Sequence, residues 1–132
     1  MHLVDTNVLA DVASRDAAWF EWSARQLGRH ASTGLGINQI ILAEISVLYE
    51  SAGQVEAQFP RTEYERLDLP WEAAFITSRA FLQYRQNGGP RPVPIPDFYI
   101  GAHAAVSGIP LITRDPTIYR TYFPQIRLIA PD

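Results

Sequence analysis

His2-Leu3-Val4-Asp5-Thr6-Asn7-Val8-Leu9 reads as two structural elements meeting at an acid, and the rest of this 132-residue chain repeats the pattern. His2 to Val4 has the length and character of a short buried strand. Asp5-Thr6-Asn7 supplies the turn, and Val8, Leu9 and Val12 carry a helix beyond it. Further along, residues 34–37 suit a second strand. Asn38 is a helix N-cap for residues 39 to about 50. Residues 64–69 suit a short strand, and Pro70 opens a helix to about residue 87 with Ala74, Ile76, Ala80, Phe81 and Tyr84 as its packing residues. Helix over 97–107, strand over 110–113, helix over 116–122 and strand over 126–129 complete the chain. Residues 16–30 and 54–59 add further helices. Strands alternating with helices predict an α/β fold with parallel central strands.

One segment breaks the alternation. Gly88-Gly89-Pro90-Arg91-Pro92-Val93-Pro94-Ile95-Pro96 contains four prolines, which remove backbone donors and bar both helix and central strand. It is a loop that delivers the chain to Asp97.

Four acids stand where a carboxylate is conspicuous. Asp5 and Asp115 each follow a strand, the place where ligands collect in parallel sheets. Asp97 follows Pro96 at a helix start. Each of these three also fits a helix cap or turn aspartate, Asp115-Pro116 especially. Glu44 is different: Gln39, Ser46 and Glu50 share a polar face, whereas Glu44 falls in the apolar stripe of Ile40, Ile41, Ile45, Val47 and Leu48. A carboxylate there must reach water, pair or bind something. The chain has no lysine, so an arginine or a metal is the expected partner. Gly101, Ala104 and Gly108 share the azimuth of Asp97, a small-residue stripe suited to tight packing. His103 points away from it and reads as a packing or surface residue.

Composition narrows the chemistry. With no cysteine, disulfides, thiolate zinc sites and cysteine nucleophiles are excluded, and a metal must take oxygen or imidazole ligands. No basic run or long apolar core precedes Asp5, and no apolar run approaches membrane-spanning length, so a cytoplasmic protein with no membrane partner is expected. The net charge of −3 conceals polarity: residues 1–72 carry five arginines against eleven acids, and residues 73–132 six against three. Between Glu72 and Asp97 there is no acid, while Arg79, Arg85 and Arg91 fall there. That stretch is either a phosphate-binding surface or scattered solvated arginines.

Clustered carboxylates repel unless a divalent cation neutralises them, and Mg²⁺ or Mn²⁺ with oxygen ligands suits phosphodiester hydrolysis by a metal-activated water. The motifs that carry these acids are Asp5-Thr6-Asn7-Val8-Leu9, Asn38-Gln39-Ile40-Ile41-Leu42-Ala43-Glu44-Ile45, Pro96-Asp97-Phe98-Tyr99-Ile100-Gly101-Ala102-His103-Ala104 and Leu111-Ile112-Thr113-Arg114-Asp115. In this order they resemble the PIN-domain ribonucleases, and more narrowly the VapC-type toxins of bacterial toxin–antitoxin pairs. The resemblance spans the chain, so residues 1–132 are expected to form a single PIN-like nuclease domain. It implies a three-layer α/β/α fold around a parallel sheet of about five strands. It implies that Asp5, Glu44, Asp97 and Asp115 are the catalytic carboxylates that bind Mg²⁺ or Mn²⁺, supported by Asn7 and Thr113. It also implies an RNA substrate, a homodimer, and a cognate VapB-type antitoxin that inserts into or covers the active-site groove. Many members carry serine where Asn38 stands, and asparagine caps equally well. Residues 88–96 look like a subgroup feature, with Arg85 and Arg91 placed near the RNA path.

The alternatives come from other classes. A haloacid-dehalogenase-like phosphatase needs a second acid two residues after the first and a distal lysine, but Asn7 stands there and lysine is absent. A phosphoacceptor receiver domain lacks the same lysine. A metal-dependent phosphatase in general, and a non-catalytic RNA-binding PIN-like domain, remain as alternatives; such non-catalytic relatives commonly lose acids that this chain keeps.

Overall fold

The computed structural model describes residues 1–132. Five strands form one parallel sheet: β1 (His2–Val4), β2 (Leu35–Ile37), β3 (Tyr64–Arg66), β4 (Leu111–Ile112) and β5 (Leu128–Ile129). Parallel neighbours cannot be joined by tight turns, and helices make every crossing. These are α1 (Thr6–Ala13) and α2 (Phe20–His30), then α3 (Gln39–Ser46) and α4 (Ala52–Gln58), then α5 (Ala73–Gln86) and α6 (Pro96–Ser107), and finally α7 (Thr117–Tyr122). The result is a three-layer α/β/α arrangement, as expected. Leu3, Val4, Leu35, Ile37, Leu111 and Ile112 are all buried, which is why these strands read as continuous apolar runs. Each such side chain contributes roughly 1.5–3 kcal/mol of burial.

The strand order is β3-β2-β1-β4-β5. The chain therefore winds outward from β1 in one direction and returns to build the other half from β4. The reversal falls at the carboxyl ends of β1 and β4, the position where ligands collect in such sheets. Val4 pairs with Ile112, so the next residues along, Asp5 and Thr113, lie side by side at that edge. The Asp5 N–H donates to the Ile112 carbonyl at 2.9 Å, closing the register.

Several element boundaries differ from the expectation. α2 begins at Phe20, because Asp16 uses its Oδ2 to accept from the N–H groups of Ala18 and Trp19 in a preceding turn. α3 stops at Ser46, where Val47 and Leu48 switch to tighter bonds onto the Glu44 and Ile45 carbonyls. Val47 and Leu48 consequently point to solvent instead of extending the apolar stripe. α5 starts at Ala73 after a turn from Pro70, and it buries Ala73, Thr77 and Ala80 while Ala74 is exposed.

α6 carries Asp97 in its first turn. The small-residue stripe below it serves close packing: a Cβ on Gly101 would lie 2.6 Å from the Phe123 ring. Gly108 ends the helix with φ at +64°, a left-handed conformation that favours glycine. No helix is long and apolar enough to cross a membrane.

Candidate active site

Asp5 sits at the N-terminus of α1 and is 3% exposed. Its Oδ1 accepts from the Thr6 N–H at 2.8 Å, so it does cap the helix. Its Oδ2 accepts from the Thr113 hydroxyl at 2.8 Å, the Tyr119 hydroxyl at 2.9 Å and the Asn7 amide at 3.3 Å. All of these donors are neutral. Burial raises the Asp5 carboxyl to about 6, against the lowering effect of its hydrogen bonds from Thr113, Tyr119 and Thr6; the nearby charge of Glu44 adds to the rise.

Asn7 and Thr113 hold the β1 and β4 ends together. Asn7 donates to the Thr113 hydroxyl oxygen at 3.2 Å, and its own Oδ1 accepts from the Arg114 N–H at 3.2 Å. Glu44, half-buried on α3, accepts from the Thr6 hydroxyl at 2.7 Å. The partner expected for it was an arginine or a metal; the protein partner is a threonine of α1, which supplies no positive charge.

Asp97 is partly buried and accepts no hydrogen bond from the protein. Its N-terminal position on α6 would favour the charged form, yet burial pushes its carboxyl up to about 7, followed by the charges of Asp5, Glu44 and Asp115. Asp115 is exposed, and α7 has Pro116 at its N-cap without a side-chain capping bond. The capping role that Asp97 and Asp115 could have played is therefore not what holds them here.

Three ion pairs occur in the molecule, Arg61 and Arg66 with Glu56 and Arg114 with Asp11. None involves the four acids. Their charges act on one another without a cation from the chain to offset them. They are not drawn into a closed ligand shell, since no three acidic or histidine side chains converge tightly enough to hold an ion unaided. All-oxygen donors with uncompensated negative charge suit Mg²⁺ or Mn²⁺, and Mg²⁺ usually takes one or two carboxylates and keeps several waters. A cavity of about 690 Å³ lies elsewhere, between Gln39, Leu69, Trp71 and Tyr99.

The PIN-domain family model matches residues 2–124. The chain belongs to the PIN-domain family. Solved structures share the fold of this PIN domain along nearly the whole chain. VapBC2 from Rickettsia felis, bound to a DNA fragment from its promoter, matches with TM-score 0.75 and 18% identity, covering 99% of this chain and 98% of that one. DNA-bound VapBC from Salmonella typhimurium matches with TM-score 0.71 and 21% identity over 98% and 96%. Mycobacterium tuberculosis VapC20, a Sarcin-Ricin loop cleaving toxin, matches with TM-score 0.66 and 16% identity over 96% and 99%. Comparison with curated protein sequences gives no match.

Other residues of this PIN domain take positions that sequence reasoning only partly anticipated. His103 is a buried packing residue: Asn38 donates from Nδ2 to His103 Nδ1 at 2.9 Å while its Oδ1 caps α3 at Ile41. Burial lowers the His103 pKa and keeps the ring neutral. Arg85 donates from Nη1 to the carbonyls of Gly89 and Arg91 at 3.1 and 3.0 Å, stapling the proline-rich loop. Arg91 is exposed, anchored through its N–H to the Tyr84 hydroxyl.

Thr6, Tyr119 and the Asp11–Arg114 pair were not singled out from sequence. Tyr119 is fully buried, and burial followed by the charges of Asp5 and Asp97 holds its hydroxyl well above the ordinary range, so it remains a donor. Nothing in its spacing marks it, because its partner lies 114 residues away.

Proposed function

We propose that the chain is a Mg²⁺- or Mn²⁺-dependent endoribonuclease, the VapC-type toxin of a bacterial toxin–antitoxin pair, acting as one nuclease domain in the cytoplasm. The observation that carries this reading is that Asp5 and Glu44 are held by neutral donors alone and that none of Asp5, Glu44, Asp97 and Asp115 has a basic side chain in ion-pair range; burial and the other three carboxylates raise Asp97 to about 7. Structural proteins rarely leave such repulsion unrelieved, and perturbed acids gather at functional sites. The family assignment and the likeness in fold to VapBC complexes and to an RNA-cleaving VapC support the same reading.

In this reading Asp5, Glu44, Asp97 and Asp115 hold the ion directly or through water, with Asp5 and Asp97 as the principal ligands. A divalent ion held by these residues would supply Lewis-acid chemistry suited to phosphodiester hydrolysis. Thr113, Asn7 and Tyr119 fix the Asp5 carboxylate. Thr6 fixes that of Glu44. Asp97, whose carboxyl is raised to about 7, would give up a proton on holding the ion. Arg91 lies on the proposed RNA path. The chain would work as a homodimer, held inactive by a VapB-type antitoxin at the groove.

The test is RNA cleavage by the purified chain in Mg²⁺ or Mn²⁺, with products read for 3′-hydroxyl and 5′-phosphate ends. Cleavage should stop on addition of EDTA and be absent in Asp97→Asn. Cleavage that persists in EDTA, or proceeds equally in the variant, contradicts the reading.

A further inference from the structure

The hydroxyl of Tyr119 does something that the packing of its ring does not require. The residue is fully buried on the short helix α7, among the largest enclosed side chains of the core. A phenylalanine would fill nearly the same space. A phenol hydroxyl placed in a core costs free energy unless it finds a partner. The partner here is the Asp5 carboxylate, met at 2.9 Å across the sheet edge.

The two oxygens of that carboxylate are used unequally. Oδ2 accepts from Tyr119, from Thr113 at 2.8 Å and from Asn7 at 3.3 Å. Oδ1 accepts only the Thr6 N–H, at 2.8 Å. A carboxylate oxygen has two lone pairs, so Oδ2 is saturated and Oδ1 keeps one free. The Thr113 and Tyr119 donors come from the end of β4 and from α7, whereas the Thr6 N–H belongs to α1, so elements far apart in the chain hold the two oxygens separately.

We propose that Tyr119 is a positioning residue: with Thr113 it occupies Oδ2 of Asp5, so that Asp5 presents Oδ1 alone to a divalent cation. The inference rests on the reading of Asp5 as a metal ligand. It adds a specific prediction, because a group that orients a ligand changes ion affinity even where the fold is unaltered. Loss of such an orienting hydrogen bond commonly weakens metal binding about 10–100-fold.

The experiment is calorimetric titration of the full chain with Mn²⁺ at pH 7.5, comparing wild type, Asp5→Asn and Tyr119→Phe, with urea unfolding of each. Tyr119→Phe should stay folded and bind Mn²⁺ about 10–100-fold more weakly, while Asp5→Asn loses binding altogether. If Asp5→Asn loses binding but folded Tyr119→Phe keeps wild-type affinity, Tyr119 has no positioning role and the site stands. A lower urea midpoint with unchanged affinity likewise assigns Tyr119 to stability alone. If wild type and Asp5→Asn titrate alike, the site itself is wrong, and the role given to Tyr119 falls with it.

Discussion

Asp5 at the start of α1 and Asp11 near its end are both buried, 3% and 2% exposed, yet they are handled in opposite ways. Asp11 accepts the Ser23 hydroxyl at 2.7 Å and the Arg114 Nε at 2.9 and 3.0 Å, so its charge is matched by a cation. Asp5 accepts only neutral donors and faces other acids. Burial of a carboxylate is therefore not itself a sign of function in this molecule. The missing countercharge is, because the fold supplies an arginine to one end of a single helix and withholds it from the other.

The largest difference between the two ends should appear in activity. Asp5→Asn and Asp97→Asn should each lower RNA cleavage by about 10³-fold or more, since the ion's stabilisation of the reaction is worth several kcal/mol. Asp11→Asn should leave cleavage largely intact and instead lower unfolding free energy by about 1–3 kcal/mol, the scale for a charged hydrogen-bonded pair whose arginine still reaches water. Comparable loss of cleavage in Asp11→Asn, measured on folded protein, would erase the contrast.

Next in size is the pH dependence of stability without added metal. Asp5 and Asp97 are raised from 3.8 to about 6 and about 7. The folded chain thus holds protons that the unfolded chain has released, and stability must fall as pH rises from about 4 through about 7. The combined effect is on the order of a few kcal/mol, allowing for the partial exposure of Asp97. Urea unfolding at pH 5 and pH 8 should show the decline, and Asp97→Asn should remove much of it; a flat profile in wild type would mean that the acids are not crowded.

The smallest effect concerns the loop. Arg91→Ala should weaken RNA binding and flatten its salt dependence by about one unit of slope. Arg85 is committed in part to holding the loop carbonyls, so Arg85→Ala should act by loosening residues 88–96. Unchanged binding in Arg91→Ala removes the loop from the RNA path.

Local pattern made much of this legible in the sequence. Short apolar runs ending in Asp5 and near Asp115 marked strands at a sheet edge, and Glu44 stood out because its helical phase put it among isoleucines. Helix ends were harder. Asp16 can cap a helix directly or build a turn first, and here its Oδ2 holds the turn through the Ala18 and Trp19 N–H groups. On α5 the expected Ala80 is buried and Ile76 and Tyr84 pack against the core, but Ala73 and Thr77 complete that face and Ala74 is exposed. Long-range partnerships were not legible at all: Tyr119 with Asp5 and Arg114 with Asp11 join residues 114 and 103 positions apart, and no local spacing encodes them.

If crowded, uncompensated carboxylates hold protons in place of a cation, Mg²⁺ must displace those protons when it is added to the chain at pH 6.5, and calorimetry in two buffers of different ionisation enthalpy reads the release. With Asp97 near 7 and Asp5 near 6, about one proton per site should be displaced in wild type and clearly fewer in Asp97→Asn. Mg²⁺ binding with no proton release, or the same release from both proteins, would contradict it.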